Sequence, residues 1–157
     1  FIMRVFVYHR WQQLRKSRLS AKKLLEFHTA HKYLVMAHSQ AAYRRLGQLM
    51  ANAGKVELQG LAERYIEELM GALRRPATRK QHANVLQHLM GYLKNQLDSE
   101  DKAEMGEVIA QYRQGFIPLI VPITLLKHHF RRHPHEYIES QVYLSPHPYE
   151  LMLRNMI

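Results

Sequence analysis

FHTAHKYLVMAHSQAAYRR, residues 27–45, is the stretch around which the rest of the chain is organised. Each residue of an α-helix advances about 100°, so His28, His31 and His38 fall within an arc of about 80° that also holds apolar side chains. The pattern therefore predicts a helix that carries three imidazoles inside its apolar stripe. The next residue, Ser39, predicts a helix stop followed by a serine N-cap, with two arginines in the helical turn beyond it.

The three imidazoles of this helix admit three interpretations. Buried core histidines bond to backbone or tyrosine, since a polar group without a partner is costly in an apolar stripe. Imidazoles that line a cleft can instead stack on RNA bases or reach phosphate. A metal site is the third interpretation, but the spacing lacks a nearby carboxylate and matches no sharp metal-binding signature.

Helical periodicity continues along the chain and no strand pattern persists, so the sequence predicts an all-α fold, a single compact domain of about seven helices. The cleanest apolar stripe runs over residues 57–73 and indicates a structural helix whose glutamates lie on other faces. The helix predicted over residues 79–97 carries a core stripe and, beside it, a row of polar side chains typical of the border of a cleft. The row consists of Gln81, Asn84, His88, Tyr92 and Asn95.

FIPLIVPITLLKHHFRRHPHEY, residues 116–137, predicts an amphipathic helix that has Pro122 in its first turn. Its apolar side chains and His129 face inward. Its outward face carries Lys127, His128, Arg131 and Arg132. A histidine cluster over the same stretch, His128, His129, His133 and His135, suggests a metal site as an alternative. Because Arg131 and Arg132 lie among these histidines and neighbouring cations oppose a bound divalent metal, the cluster is better suited to phosphate. The residues from 136 onward predict one or two short helices.

The charge of the chain is strongly positive and unevenly distributed. The net charge is +10, with 23 lysines and arginines against 13 acids. Residues 1–55 contain eleven of these cations and a single acid, Glu26, whereas nine acids lie in residues 57–68 and 98–107. A fold of this sequence should therefore show one strongly positive face, which suits nucleic acid, an anionic membrane surface or an acidic protein.

The absence of cysteine narrows the chemistry of the chain. It excludes disulfides and thiolate-bound zinc or iron–sulfur clusters within these 157 residues, and it predicts no cofactor in this chain. The longest apolar run, residues 116–126, is short and contains two prolines, so we expect no membrane partner. Without a signal peptide, a cytoplasmic location is expected. The start at Phe1 favours an excised domain over a natural start at Met3.

Four blocks of this sequence resemble the YbgA-like family of bacterial domains. They are FHTAHKYLVMAHS, YRRLG, RKQHANVLQHLMGYLKNQL and YRQGFIPLIVPITLLKHHFRRHPHEYIESQVYLSPHPYEL. Members occur alone or fused behind a Cys-rich domain of the thiouracil desulfidase type. The resemblance implies that fused members remove sulfur from 4-thiouridine in tRNA. It also implies that the iron–sulfur chemistry belongs to the Cys-rich domain and that the YbgA-like domain handles the tRNA.

The same resemblance suggests a domain boundary near residue 16. FIMRVFVYHRWQQL, residues 1–14, resembles the segment that joins the two halves of fused members. We therefore expect residues 1–16 to form a linker helix from a preceding catalytic domain, and residues 17–157 to form the YbgA-like domain. A fused or associated Cys-rich iron–sulfur domain is the expected protein partner.

The sequence as a whole predicts an accessory domain that binds tRNA or another structured RNA, with no catalytic residue or metal ligand of its own. The expected RNA contacts are His28, His31, Lys32, His38, Arg44, Arg45, Arg79, Lys80, Asn84, His88, Lys127, His128, Arg131 and Arg132. One alternative is an enzyme that uses imidazoles as acid–base groups near neutral pH. Another is a protein-interaction module whose positive face meets an acidic partner.

Overall fold

Every regular element in residues 1–145, the part of the chain that the computed structural model describes, is helical. Seven α-helices of 12–18 residues are followed by a short α-helix and a 3-10 turn. They are α1 (Ile2–Lys16), α2 (Ala21–His38), α3 (Gln40–Ala51), α4 (Leu58–Ala72), α5 (Arg79–Gly91), α6 (Ser99–Gln114), α7 (Ile120–Arg132), α8 (Glu136–Glu139) and the turn Val142–Leu144. The predicted all-α fold class is confirmed.

The chain divides into two compact units, and the first, Phe1–Pro76, contains α1 to α4. In this unit α4 contacts each of the other three helices, and α2 also packs on α3. Tyr65 and Leu69, from the apolar stripe of α4, are fully buried. The clean periodicity of residues 57–73 therefore reflects a helix that is packed on several sides, as its sequence predicted.

Serine hydroxyls begin two of the helices in the first unit. The backbone N–H of Lys23 donates to Ser20 Oγ at the start of α2, and the N–H of Ala42 donates to Ser39 Oγ at the start of α3. A side-chain oxygen at this position satisfies an N–H group that has no partner inside the helix. The predicted break between α2 and α3 is therefore confirmed at Ser39.

The second unit, Ala77–Ile157, is described to residue 145 and contains α5 to α8. Here α5 packs on both α6 and α7, and α6 packs on α7. Thr78 and Gln81 form a capping box at the start of α5, and the Asp98 side chain caps α6. Gly115 ends α6 with φ of +90°, a left-handed conformation that glycine adopts without a steric penalty.

The helix predicted over residues 79–97 is shorter than its periodicity indicated. The α-helix ends at Gly91, and the N–H groups of Tyr92 and Leu93 donate to carbonyl oxygens three residues back. Residues 92–96 continue as turns, and Leu93 and Leu97 are buried nonetheless. Tighter turns preserved the burial of the apolar stripe while ending the regular helix, which periodicity alone does not reveal.

α1 lies at the start of the chain, and α8 and the 3-10 turn are the last elements of its described part. α1 buries Val7 and Trp11 in the first unit, while the predicted domain boundary after residue 16 stays a prediction. α8 and the 3-10 turn match the short helices expected after residue 136, and the remainder of that prediction falls on residues 146–157, outside the described residues. None of the helices described here combines the length and hydropathy that a membrane crossing requires.

Candidate nucleic-acid interface

Two of the imidazoles on α2 belong to the core of the first unit. His28 is 7% exposed and shares a hydrogen bond of 3.2 Å between its Nδ1 and the Tyr65 hydroxyl. His31 is 2% exposed, and its Nδ1 donates to the Phe27 carbonyl oxygen at 2.7 Å. The Phe27 ring stacks on the His31 ring with centroids 4.0 Å apart. The expectation that these two side chains face RNA is therefore corrected, because both are enclosed and have partners inside the unit.

The protonation of these two imidazoles follows from their burial. Desolvation, followed by the charge of Lys32, lowers the pKa of His28 to about 4. Desolvation also lowers the pKa of His31 to about 4, against the opposing hydrogen bond to Phe27 and with help from the Arg10 charge. Burial raises the pKa of Tyr65 above its ordinary value. Both imidazoles are therefore neutral at pH 7, where neither gains nor loses a proton readily.

The remaining predicted contacts on α2 are closer to the surface. His38, at the end of the helix, is half-buried and its Nδ1 donates to the Arg75 carbonyl oxygen at 2.6 Å. Lys32 is also half-buried and holds its ammonium 5.5 Å from the centre of the Tyr43 ring. Of the three histidines in the opening stretch, only His38 retains a partly accessible side chain.

The two arginines at the start of α3 differ in their surroundings. Arg45 binds Glu68 on α4 through Nε and Nη2, at 2.7 and 2.6 Å from the same carboxylate oxygen. Arg44 is exposed and has no ion pair within the described part of the chain. A paired guanidinium has less of its charge available to a phosphate, so Arg44 is the stronger candidate of the two.

α7 in the second unit is amphipathic in the way its sequence predicted. Leu126, His129 and Phe130 are buried. The opposite face exposes Lys127, His128, Arg131 and Arg132. None of these four has an ion pair among residues 1–145. They form a compact cationic face, and the two arginines also lie in the last turn, where the helix dipole favours positive charge.

Three aromatic side chains meet beside the end of α7. The Tyr92 ring, at the end of α5, lies 5.0 Å from the His135 ring and 5.9 Å from the Tyr137 ring, centroid to centroid. Tyr92 is 36% exposed. His135 follows Arg132 by three residues, so the chain keeps them within about 11 Å of each other. The unit therefore places rings and cations together; we call Tyr92, His135 and Tyr137 the ring cluster.

The exposed row on α5 leads to the ring cluster. Lys80, Asn84 and His88 are exposed and follow one another at intervals of four residues, and Tyr92 continues the series. Because residues four apart lie on the same face, the row spans about 18 Å from Lys80 to Tyr92. Of the polar row predicted from the sequence, Asn84, His88, Tyr92 and Asn95 are exposed, whereas Gln81 is half-buried and completes the capping box with Thr78. The cleft that this row was expected to border stays a prediction.

Arg79, at the start of α5, is committed to packing. Its Nη1 donates to the Tyr112 carbonyl oxygen at 3.3 Å, and the guanidinium carbon lies 5.3 Å from the centre of the Tyr112 ring. These contacts tie α5 to the end of α6. Arg79 therefore stabilises the packing of α5 on α6, and its guanidinium is less available to a ligand than the ammonium of its exposed neighbour Lys80.

The sequence analysis missed one buried histidine, His82. It is 3% exposed, and its Nδ1 shares a hydrogen bond of 2.8 Å with the hydroxyl of Tyr143 in the 3-10 turn. Its position on the core stripe of α5, four residues before Leu86, was the available signal, but its partner lies 61 residues away. This contact ties the 3-10 turn after α8 to α5.

The electrostatics of the candidate surface limit its extent and its chemistry. In the second unit the candidate surface consists of the α5 row and the outer face of α7, and the exposed Glu136 and Glu139 on α8 bring negative charge to the residues that follow α7. Arg44 is an exposed cation of the first unit. In the described ranges no group of three or more histidine or acidic side chains is arranged to hold a metal ion. Cations, amides and rings on one surface are the groups that contact phosphates and unpaired bases in RNA.

Comparison with known proteins places the chain in a family. Residues 32–148 match the family described as "Protein of unknown function (DUF1722)". The chain belongs to this family. It is 30% identical over 155 residues to the uncharacterized protein YbgA of Escherichia coli (strain K12), a match that covers 98% of this chain and 92% of YbgA. No solved structure matches the chain.

The two matches test the family membership that the sequence blocks predicted. Membership of a YbgA-like family is confirmed, and the matched 98% of the chain includes almost all of α1. YbgA therefore has a counterpart of the helix that the sequence predicted as a linker. Neither description names a ligand or a reaction, so function has to be argued from the side chains.

Proposed function

We propose that this chain is an RNA-binding accessory domain. Its ligand is tRNA, which it positions for removal of sulfur from 4-thiouridine by a separate iron–sulfur desulfidase domain. The RNA-binding part of the proposal is supported by the charge and the geometry of the second unit. The desulfidation context is supported only by the resemblance to domains fused behind a Cys-rich half.

The observation that carries the proposal is the ring cluster beside the cationic face of α7. Proteins that read unpaired RNA combine aromatic rings, on which bases stack, with cations that hold the backbone. Tyr92, His135 and Tyr137 supply the rings, and Arg131 and Arg132 supply adjacent charge. The exposed α5 row extends this surface by about 18 Å along the helix.

We assign phosphate contact to fewer side chains than the sequence suggested, because some of the predicted cations already have partners in the protein. Among the cations predicted to contact RNA, five are exposed and have no ion pair in the described part of the chain: Arg44, Lys80, Lys127, Arg131 and Arg132. Arg45 and Arg79 are assigned a smaller share, since each already binds a group of the protein. We assign contacts with bases or sugar hydroxyls to the exposed side chains of Asn84, His88 and His128.

The rival interpretation as an acid–base enzyme receives less support from the same histidines. A general acid or base works best with a pKa near the operating pH, and His28 and His31 have pKa values of about 4. Both also lie inside the core, away from any solvent-borne substrate. The protein-interaction alternative is separated from RNA binding by the experiment below.

The test is a salt titration of binding to tRNA transcripts with and without 4-thiouridine, followed by fluorescence anisotropy. With about five phosphates neutralised, log K falls with log salt at a slope of about −3.5 to −4.5. The double variant Arg131→Ala/Arg132→Ala should reduce the magnitude of this slope by about two contacts' share and weaken both RNAs alike. Arg64→Ala and Lys102→Ala are the controls, because both lie on α4 and α6 among acids.

Two results would contradict the proposal. One is an affinity for tRNA that does not depend on salt or that the control variants weaken as much as the double variant does. The other is tight binding of an acidic polypeptide such as polyglutamate under conditions in which tRNA does not bind. That second result would assign the positive surface to a protein partner instead.

A further inference from the structure

An open pocket of about 470 Å³ lies in the first unit and takes no part in the proposed interface. It is lined by Tyr8, Trp11, Gln12, Arg15, Lys16 and Ile66. Five of these six side chains come from α1, and Ile66 comes from α4, on which α1 packs. The volume is within the range of roughly 300–1,000 Å³ that small-molecule sites occupy.

The floor of the pocket is aromatic and held in place by the core. The Trp11 ring makes an edge contact with Phe27 at 5.4 Å and a tilted contact with Tyr65 at 5.9 Å, centroid to centroid. Trp11 is only 2% exposed, so its position is set by these neighbours. Tyr8, one helical turn away, is 47% exposed and lines the same pocket.

The polar groups of the pocket are not engaged by the protein. Tyr8, Gln12, Arg15 and Lys16 have no hydrogen bond or ion pair among residues 1–145. α1 itself contains no acid, and the one side chain that α4 contributes to the pocket is apolar. Two adjacent cations beside the exposed Tyr8 ring can bind a planar group through stacking on that ring and its attached anion through charge-assisted hydrogen bonds.

We infer that this pocket binds a nucleoside phosphate, with the base against Tyr8 and the edge of Trp11 and the phosphate on Arg15 and Lys16. The same chemistry is presented by a free mononucleotide and by one nucleotide of a single strand. The inference does not rest on the proposed tRNA function, because it uses a different unit and different residues. It gives α1 a binding role in place of a purely connecting one.

The single tryptophan of the chain provides the measurement, because all indole fluorescence comes from Trp11 at the pocket floor. Titration of the full chain with adenosine 5′-monophosphate should give a saturable change in Trp11 fluorescence. Adenosine without phosphate should bind about 10-fold more weakly, since it lacks the charge-assisted contacts. Inorganic phosphate, which has no ring, should give no saturable change.

Variants on the pocket rim test the assignment of each group. Arg15→Ala/Lys16→Ala should weaken the mononucleotide about 10-fold or more and leave adenosine unchanged. Tyr8→Ala should weaken both ligands. Lys22→Ala on α2 is the matched control, because Lys22 is exposed and pairs weakly with Glu26 outside the pocket, with 3.9 Å between Nζ and Oε1.

An oligonucleotide arm distinguishes the source of the nucleotide. If only single-stranded RNA changes the Trp11 signal, and the Arg15 and Lys16 variant abolishes the change, the ligand is a nucleotide within RNA. No saturable change with either ligand, or a change that the double variant leaves intact, overturns the inference. If the chain binds tRNA but Trp11 fluorescence does not respond to any of these ligands, only the pocket inference is contradicted. If Trp11 fluorescence responds to the mononucleotide but the chain does not bind tRNA, only the proposed function is contradicted.

Discussion

α2 in the first unit and α7 in the second carry similar residues and use them differently. Both helices mix histidines with apolar side chains and with lysine or arginine nearby. α2 buries His28 and His31 and gives both a hydrogen-bond partner inside the unit. α7 buries only His129 and exposes His128 with its neighbouring cations.

The comparison shows that residue type alone does not identify a functional helix. An imidazole in the apolar stripe can be buried when a tyrosine hydroxyl or a carbonyl oxygen bonds to one ring nitrogen, because that hydrogen bond offsets part of the cost of burial. The offset is partial for His31, whose Nε2 is buried without a hydrogen-bond partner in the described part of the chain. An imidazole outside the stripe stays available to a ligand. The predictions below separate the two helices by stability and by RNA affinity, from the largest expected effect to the smallest.

Acid should destabilise the protein through α2. His28 and His31 have folded pKa values of about 4, below the ordinary value of 6.5, so the unfolded chain binds more protons between these values. Stability is therefore complete above pH 6.5 and declines as the pH falls towards 4, by up to about 3 kcal/mol for each imidazole. Urea titrations at a series of pH values measure the decline.

A variant without one of these groups provides the control for the acid prediction. His31→Leu removes one of the two imidazoles from the core and should reduce the pH dependence between 4 and 6.5 by about half, with the His28 contribution remaining. An unchanged slope in His31→Leu would mean that the acid sensitivity comes from other groups.

Removal of a core side chain from α4 should destabilise the first unit without changing any side chain to which RNA contact is assigned. Leu69 is fully buried, and Leu69→Ala should cost about 2–5 kcal/mol through loss of contacts and a residual cavity. The tRNA affinity of the molecules that remain folded should be unchanged. A stability change below about 1 kcal/mol, measured by denaturant titration, would contradict the packing of α4 described here.

Two histidine variants compare a buried with an exposed imidazole directly. His28→Ala leaves the Tyr65 hydroxyl buried without its partner and should cost about 1–3 kcal/mol, with tRNA affinity retained. His88→Ala on the exposed row should change stability by less than about 0.5 kcal/mol and weaken tRNA binding. If His28→Ala weakened tRNA binding and His88→Ala did not, the RNA contact would lie on α2 and not on the α5 row.

The smallest effect distinguishes the two arginines of α3. Arg44→Ala should reduce the salt dependence of tRNA binding by about one contact's share, because its guanidinium is free of ion pairs in the described residues. Arg45→Ala should reduce it less, since the Glu68 carboxylate already neutralises part of its charge. Equal slopes for the two variants would indicate that Arg45 leaves Glu68 when RNA binds.

The sequence by itself determined the local structure of this protein. The all-α fold class, the serine cap at Ser39, the stripe of α4 and the outward cations of α7 were all predicted correctly. These features depend on residues three or four positions apart, through the periodicity of the helix and the reach of a capping side chain. Such distances can be read from the order of the residues.

Only the tertiary structure decided which polar side chains are engaged. His28 meets a tyrosine 37 residues away, Arg45 a glutamate 23 residues away, and His82 a tyrosine 61 residues away. The contact of Tyr92 with His135 likewise joins the end of α5 to the segment before α8. Whether an imidazole or a guanidinium is available to a ligand depends on such distant partners, because they set its burial and its share of charge. Helical periodicity contains no information about which partner a face will meet.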